Sequence, residues 1–323
     1  MRGTGGRDAV GLQMSNQSTI EAGRRLLNAD IVVGIPAYNE AETIASVVRG
    51  APGSASEVIV VDDGSDDRTA TEAREAGATV ISHPENQGYG AALETIFETA
   101  YERDADHLVV VDADGQHDPA DATELVVTQR ASEAKIVVGS RALGGSQSDT
   151  PLYRRFGLAV INTIVGASLW LGYSSPRVRD TQSGFRAYDA GAIESLACQA
   201  SLSDGMDASV DILFHAASEG YEFTEVPVDV TYDVVEANTH NPVVHGAVLV
   251  RNVLGKVFTE RPLRMLGIPG AICLLFGAIL VSAVFTGSGV GAIPTLLIPL
   301  VIIAGSGLTG AALAIGGYSA DND

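Results

Sequence analysis

The chain has 323 residues, with 20 Lys and Arg against 40 Asp and Glu, a formal charge of −20. That balance excludes nucleic acid as an expected partner, because phosphate backbones are bound through basic surface. Lysine occurs only at Lys135 and Lys256, and so acidic and lysine-poor a surface points to a high-salt cytoplasm, where screening removes the self-repulsion.

Residues 1–29 are polar and Gly-rich, lack the apolar stretch of a signal peptide, and are expected to form a flexible tail. The first strand is predicted over residues 30–36 and ends in Pro36-Ala37-Tyr38-Asn39-Glu40, with a helix from about 41 to 49. A second strand, 57–61, ends in Asp62-Asp63-Gly64-Ser65-Asp66-Asp67-Arg68-Thr69 and again precedes a helix. A short third strand, 78–81, leads through Asn86-Gln87-Gly88-Tyr89-Gly90 into a helix reaching about residue 103. The fourth, 107–111, delivers Asp112-Ala113-Asp114-Gly115-Gln116-His117; a helix spans about 119–132, and 135–139 is the fifth strand. Strands that alternate with helices and are continuously apolar predict a mostly parallel α/β sheet covered on both faces. In such a sheet the loops after the strands share one edge, so Tyr38, Glu40, Asp62, Asp63, Asn86, Asp112 and Asp114 should converge in one cleft.

An isolated Asp-x-Asp reads equally well as a solvated turn or as a cation site. Oxygen donors suit Mg²⁺ or Mn²⁺. No Gly-x-x-x-x-Gly-Lys-Ser/Thr loop is present, and no Gly-x-Gly-x-x-Gly opens the first helix. A diphosphate would then depend on a metal at Asp112 and Asp114. The two cysteines, Cys198 and Cys273, do not suggest a disulfide, and no Cys/His cluster has zinc spacing.

With Gly139-Ser140-Arg141 and Asp180-Thr181-Gln182-Ser183-Gly184-Phe185-Arg186, these pieces resemble family 2 glycosyltransferases of the GT-A fold, in particular the dolichyl-phosphate sugar synthases. The resemblance covers about residues 30–190. It implies a nucleoside-diphosphate sugar donor, with Pro36, Tyr38, Glu40 and Asp63 at its base and ribose, and Asp112, Asp114 and Gln116 at its metal and diphosphate. Asp62, Asn86, Gly88 and Ala113 belong to the same donor-binding set. It also implies dolichyl phosphate as acceptor, with Arg141, Arg155 and Ser183 at the acceptor phosphate, and Asp112, Asp114, Arg141 and Arg155 as the catalytic group. The expected setting is archaeal protein glycosylation with UDP-glucose or GDP-mannose as donor.

Six arginines fall between residues 141 and 186: Arg141, Arg154, Arg155, Arg177, Arg179 and Arg186. Guanidinium groups suit bidentate phosphate contacts, although Arg186 is equally readable as structural, paired with a loop carboxylate. Residues 151–172 read as a helix lying in a membrane interface. A phosphate acceptor is mostly ionised at neutral pH, so no catalytic base is required; Asp207 or Asp211 would serve for another acceptor. A helix over 207–217 and a strand over 221–228 that leaves the sheet should follow. Relatives carry a basic segment next; this chain has Thr239 to Gly246, with His240 and His245 as candidate substitutes.

The expected catalytic domain spans 30–250 and a juxtamembrane segment 251–266. Residues 267–285 and 290–317 are uncharged and long enough to be two transmembrane helices, with a cytoplasmic tail at 318–323. Arg251, Lys256, Arg261 and Arg264 precede them, which places the catalytic domain on the cytoplasmic side. Two other readings share these features: transfer to another lipid or polysaccharide acceptor, and a non-catalytic membrane-tethered sugar-nucleotide-binding scaffold. The Gln-x-x-Arg-Trp motif of processive polysaccharide synthases is absent, and the intact Asp112, Asp114 and Arg141 speak against the scaffold.

Overall fold

The computed structural model describes residues 30–144, 152–173, 178–205, 207–230, 255, 263–285 and 297–320. The expected tail 1–29, the histidines His240 and His245, most of segment 251–266 and residues 321–323 lie outside the described residues. The chain divides into two compact units, one of residues 1–162 and 178–239, the other of residues 163–177 and 240–323.

The first unit is built on a seven-stranded sheet. Its strands are β1 (Ile31–Ala37), β2 (Glu57–Asp62), β3 (Thr79–Ser82), β4 (His107–Val110), β5 (Ile136–Ser140), β6 (Arg186–Asp189) and β7 (Phe223–Pro227). The order is β3-β2-β1-β4-β6-β5-β7. β6 alone runs antiparallel, between β4 and β5. The helices are α1 (Ile44–Gly50), α2 (Thr69–Glu75), α3 (Tyr89–Glu102), α4 (Ala122–Ser132), α5 (Leu152–Tyr173), α6 (Ala190–Gln199) and α7 (Ala208–Ser218); residues 163–173 of α5 belong to the second unit. Every residue of β1, β4 and β5 is buried. That is why these strands read as unbroken apolar runs: helices cover both faces. Val33, Ile35, Val109, Val111 and Val137 belong to one core layer; on β6, Tyr188 meets Phe97 of α3 edge-on, with ring centroids 4.9 Å apart. A capping carboxylate starts α6, Asp189 accepting from the backbone of Ala192.

Two sequence expectations need correction here. The strand expected to leave the sheet instead closes its edge: β7 pairs in parallel with β5 from Phe223 to Pro227, because β5 has a free edge once β6 occupies its other side. The segment 119–132 is not one helix but a 3-10 turn, Pro119–Asp121, followed by α4; Pro119 favours a helix start but supplies no N–H.

The second unit contains a π-helical turn, Leu263–Gly267, and two apolar helices, α8 (Ile268–Phe285) and α9 (Leu297–Ala320). The two pack together, with Gly270 against Gly305 and Thr309. They expose Ile272, Leu275, Phe276, Ile279, Leu300, Ile303 and Leu313. Among the described residues, however, no helix is long and apolar enough to cross a membrane, so the expected pair of transmembrane helices is not found. In α9, Gly305, Ser306, Gly307, Thr309 and Gly310 interrupt the apolar run, and the helix continues to Ala320 rather than stopping at 317.

Candidate active site

Strand direction places the ends of β1, β2, β4 and β5 and the start of β6 on one edge. The strand order reverses between β1 and β4. A crevice at such a reversal is where open α/β sheets bind ligands, and the segments 37–41 and 112–117 flank it.

The loops after β1 and β2 are stitched together by hydrogen bonds. Asn39 N–H donates to Ser65 Oγ (2.9 Å), Asp66 N–H to Asn39 Oδ1 (2.9 Å), Glu40 N–H to Thr69 Oγ1 (2.8 Å) and Ala41 N–H to Asp67 Oδ2 (3.2 Å). Asn39 takes the left-handed conformation, φ 57°, which asparagine tolerates better than most residues. Pro36 and Ala37 are the buried last residues of β1, in register with Val61 and Asp62. Tyr38 stands at the rim with 43% of its surface exposed.

Asp62 and Asp63 are both buried. Asp62 Oδ1 accepts from Ser65 N–H at 3.4 Å. Asp63 accepts from Gln87 N–H (2.9 Å) and Gly88 N–H (2.8 Å) and is bonded to His83 Nδ1 (2.7 Å). Its carboxylate is therefore committed to holding the β3–α3 loop, on which Asn86 is exposed. Gly88 and Gly90 are required by packing. An added Cβ would lie 2.1 Å from Asp204 O at Gly88 and 2.0 Å from Ser203 O at Gly90.

The Asp112–Asp114 pair lies directly beyond β4, with Ala113 between them buried in the core. Asp112 Oδ1 accepts from Tyr89 Oη–H at 3.0 Å; Asp114 Oδ1 accepts from the backbone of Gln116 at 2.9 Å. Burial raises the pKa of Asp112, an effect that the Tyr89 hydrogen bond opposes. Burial, then the charge of Asp112, raises that of Asp114. Burial raises Glu40 too; its bond from Thr43 opposes this, and the charges of Asp114, Asp67 and Asp112 add to it. Three carboxyl groups thus share one desolvated cleft in which each resists ionisation.

A divalent cation fits this donor set, because it would favour ionisation of the same groups. Among the described residues no three His, Cys, Asp or Glu side chains are grouped to hold a metal. Two carboxylates, with diphosphate oxygens and water completing the shell, is the usual arrangement for Mg²⁺. Gln116 is half-buried in the same turn.

Across the crevice, Arg141 follows β5. Its Nε and Nη2 donate to Asp180 at 2.8 and 2.9 Å, and its backbone N–H donates to the same carboxylate at 3.0 Å. Burial would raise Asp180, but the hydrogen bond and charge of Arg141 hold it below the usual carboxylate range. The loop that carries Asp180 is anchored at both sides: Glu225 accepts from the backbones of Arg179 and Asp180, and Asn162 accepts from Thr181. Ser183 is turned inward, its hydroxyl donating to Gly139 O at 2.7 Å. Arg186 is 1% exposed and donates to the carbonyls of Ser209 and Thr181. Carbonyl oxygens thus stand where a loop carboxylate was expected. Asp211 accepts from Ser203 through both the backbone and the hydroxyl, so its carboxylate serves the 203–204 loop. Arg155 lies in the first turn of α5, but its side chain and that of Arg154 lie outside the described residues, as does Arg177.

Sequence reasoning gave no role to Tyr89, Asp180, Gly184 or His117. His117 is 6% exposed, has its ring centroid 5.1 Å from that of Phe185 at a tilt of 37° and has no partner for Nδ1 among the described residues. Burial, then Arg141, lowers its pKa to about 4. The flanking glycines were the available signal for Tyr89; for Asp180, the signal was its place at the head of the Asp180–Arg186 motif.

Residues 32–194 match the family described as Glycosyl transferase family 2. The chain is 30% identical over 240 residues to a dolichyl-phosphate hexose transferase of Haloferax volcanii, covering 73% of this chain and 97% of that one. It is 31% identical over 220 residues to a UDP-N-acetylglucosamine–dolichyl-phosphate N-acetylglucosaminyltransferase of Methanococcus voltae, covering 61% and 84%. A glucosyl-3-phosphoglycerate synthase from Mycobacterium tuberculosis, solved with Mn²⁺, uridine diphosphate and phosphoglyceric acid, superposes with a TM-score of 0.52 at 20% identity, over 72% of this chain and 78% of that one. At that identity the likeness is one of fold.

Proposed function

Because the chain belongs to glycosyl transferase family 2, we propose that it moves a hexose from a nucleoside-diphosphate sugar to a polyprenyl phosphate of the dolichyl type, inverting the anomeric centre. The observation that carries this reading is the desolvated group Glu40, Asp112 and Asp114 at the β1/β4 reversal, facing the Arg141–Asp180 pair. The relatives named for transfer to dolichyl phosphate support the acceptor class.

In this reading Tyr38 and Glu40 meet the base and ribose. Pro36, Asp62, Asp63, Asn86 and Gly88 shape the donor loops around them. Asp112 and Asp114, with Gln116 and the backbone at Ala113, would hold Mg²⁺ or Mn²⁺, which would supply Lewis-acid stabilisation of the departing nucleoside diphosphate. Arg141, with Arg155 and Ser183, orients the acceptor phosphate, and Asp180 fixes the Arg141 guanidinium as a two-pronged donor. The acceptor oxygen is already ionised near pH 7, so these residues contribute position rather than proton removal. The exposed apolar faces of α8 and α9, and Trp170 on α5 at 55% exposure, support attachment to a membrane.

The test is transfer of label from UDP-glucose, GDP-mannose and UDP-N-acetylglucosamine to dolichyl phosphate with Mn²⁺ or Mg²⁺ present. One donor should label the lipid with the wild type and none with Asp112→Ala. Unchanged labelling by Asp112→Ala would sink the metal role, and no labelling by the wild type would sink the acceptor class.

A further inference from the structure

Tyr89 has no part in the mechanism so far, although the glycines on either side of it are tightly specified. Gly88 has φ 101°, and both glycines lie under the carbonyls of Ser203 and Asp204, where no Cβ fits. Gly90 N–H donates to Asp204 O at 3.3 Å. The 203–204 loop is itself held, by Asp211 through Ser203 and by Glu94 through Leu202 N–H. The start of α3 therefore has one rotational phase available, and in that phase the Tyr89 hydroxyl reaches Asp112 Oδ1. The same carboxylate rests on Gly184, where an added Cβ would lie 2.5 Å from Oδ2 and 2.7 Å from Oδ1.

We infer that Tyr89 is a positioning residue that, together with Gly184, fixes the Asp112 carboxylate with Oδ1 occupied and Oδ2 left to the divalent cation. Groups that hydrogen-bond to metal ligands fix ligand orientation, and their loss typically weakens metal binding by roughly 10- to 100-fold. The phenol donates to Oδ1 at 3.0 Å. The inference rests on the proposed cation site at Asp112 and Asp114.

The experiment is a Mn²⁺ titration of the full chain in detergent, with free Mn²⁺ read by electron paramagnetic resonance, with and without inorganic pyrophosphate as a base-independent diphosphate. The metal-free unfolding midpoint is measured alongside. Tyr89→Phe should weaken Mn²⁺ binding about tenfold or more while the metal-free midpoint stays near that of the wild type. Gly184→Ala, which displaces the carboxylate from its other side, should weaken it at least as much. Asp112→Ala should remove the site. Wild-type affinity in Tyr89→Phe, with Asp112→Ala defective, would overturn the positioning role and leave the proposed function intact. Wild-type affinity in Asp112→Ala would instead overturn the cation site itself. If Tyr89→Phe destabilises the metal-free protein, Gly184→Ala decides, and unchanged affinity there overturns the inference.

Discussion

Gly90→Ala sets helix propensity directly against packing. In a helix, replacing Gly by Ala ordinarily stabilises by about 0.5–1 kcal/mol. Here the new Cβ would lie 2.0 Å from Ser203 O and 2.9 Å from its carbonyl carbon. A comfortable carbon–oxygen approach is about 3.3 Å, so the 203–204 loop must retreat by roughly 1.3 Å. The obstructing atoms are backbone, tied to Asp211 and Glu94, and cannot swing aside as a side chain would. Overpacking of this kind costs about 1–3 kcal/mol, and loss of the Gly90 N–H to Asp204 O bond adds about 1 kcal/mol. Net destabilisation of roughly 1–3 kcal/mol is expected after the propensity gain. Hydrogen exchange of the α3 amides, read by mass spectrometry, should show protection falling about 10- to 100-fold. Gly307→Ala in α9 is the control: nothing lies within 4 Å of its added Cβ, and α9 should gain about 0.5–1 kcal/mol. Protection of α3 in Gly90→Ala equal to or above that of the wild type would refute the argument.

Asp180→Asn removes the anionic partner of Arg141, whose side chain is 21% exposed against 4% for Asp180. Breaking one side of a buried pair costs about 3–5 kcal/mol, and the partial exposure of Arg141 reduces that to roughly 2 kcal/mol; denaturant unfolding should show the loss, with Arg141→Met/Asp180→Asn less destabilised than the sum of the single changes. His107 is buried, its Nδ1 2.8 Å from Gln129 Oε1 and its Nε2 accepting from Arg130 Nε. Burial lowers its pKa, with Gln129 opposing and Arg130 reinforcing. A histidine held neutral contributes stability that is present above about pH 6.5 and lost as pH falls below it; the unfolding midpoint should drop from pH 7.5 to 5.5, and by less in His107→Gln. The raised carboxyls Asp112, Asp114 and Glu40 have the opposite sign, since their contribution is lost as pH rises. Mn²⁺ should therefore raise the unfolding midpoint at pH 7.5, and the effect should vanish in Asp112→Ala/Asp114→Ala.

Local pattern alone determined the alternation of strands and helices, the edge of the sheet where the loops gather, and the Asp112–Asp114 pair. Each depends on a short-range property: a run of apolar residues long enough for one strand, followed by polar residues that cannot be buried. The glycosyltransferase family was legible for the same reason, as its motifs are contiguous. Tertiary structure decided what pattern could not. β6 was inserted between β4 and β5 by long-range pairing, and β7 was thereby drawn onto the sheet edge. Asp63 reads as a ligand from its place after β2, yet its carboxylate is committed to the 87–88 backbone. Arg186 reads as a cation seeking a carboxylate and instead satisfies two buried carbonyls. Tyr89 reads as a helix residue and reaches a carboxylate 23 residues away in sequence. The hydropathy of residues 267–317 suggested two crossings, whereas among the described residues no helix is long and apolar enough to cross a membrane. Residue type determines which partners a side chain can accept; only packing determines which of them it meets.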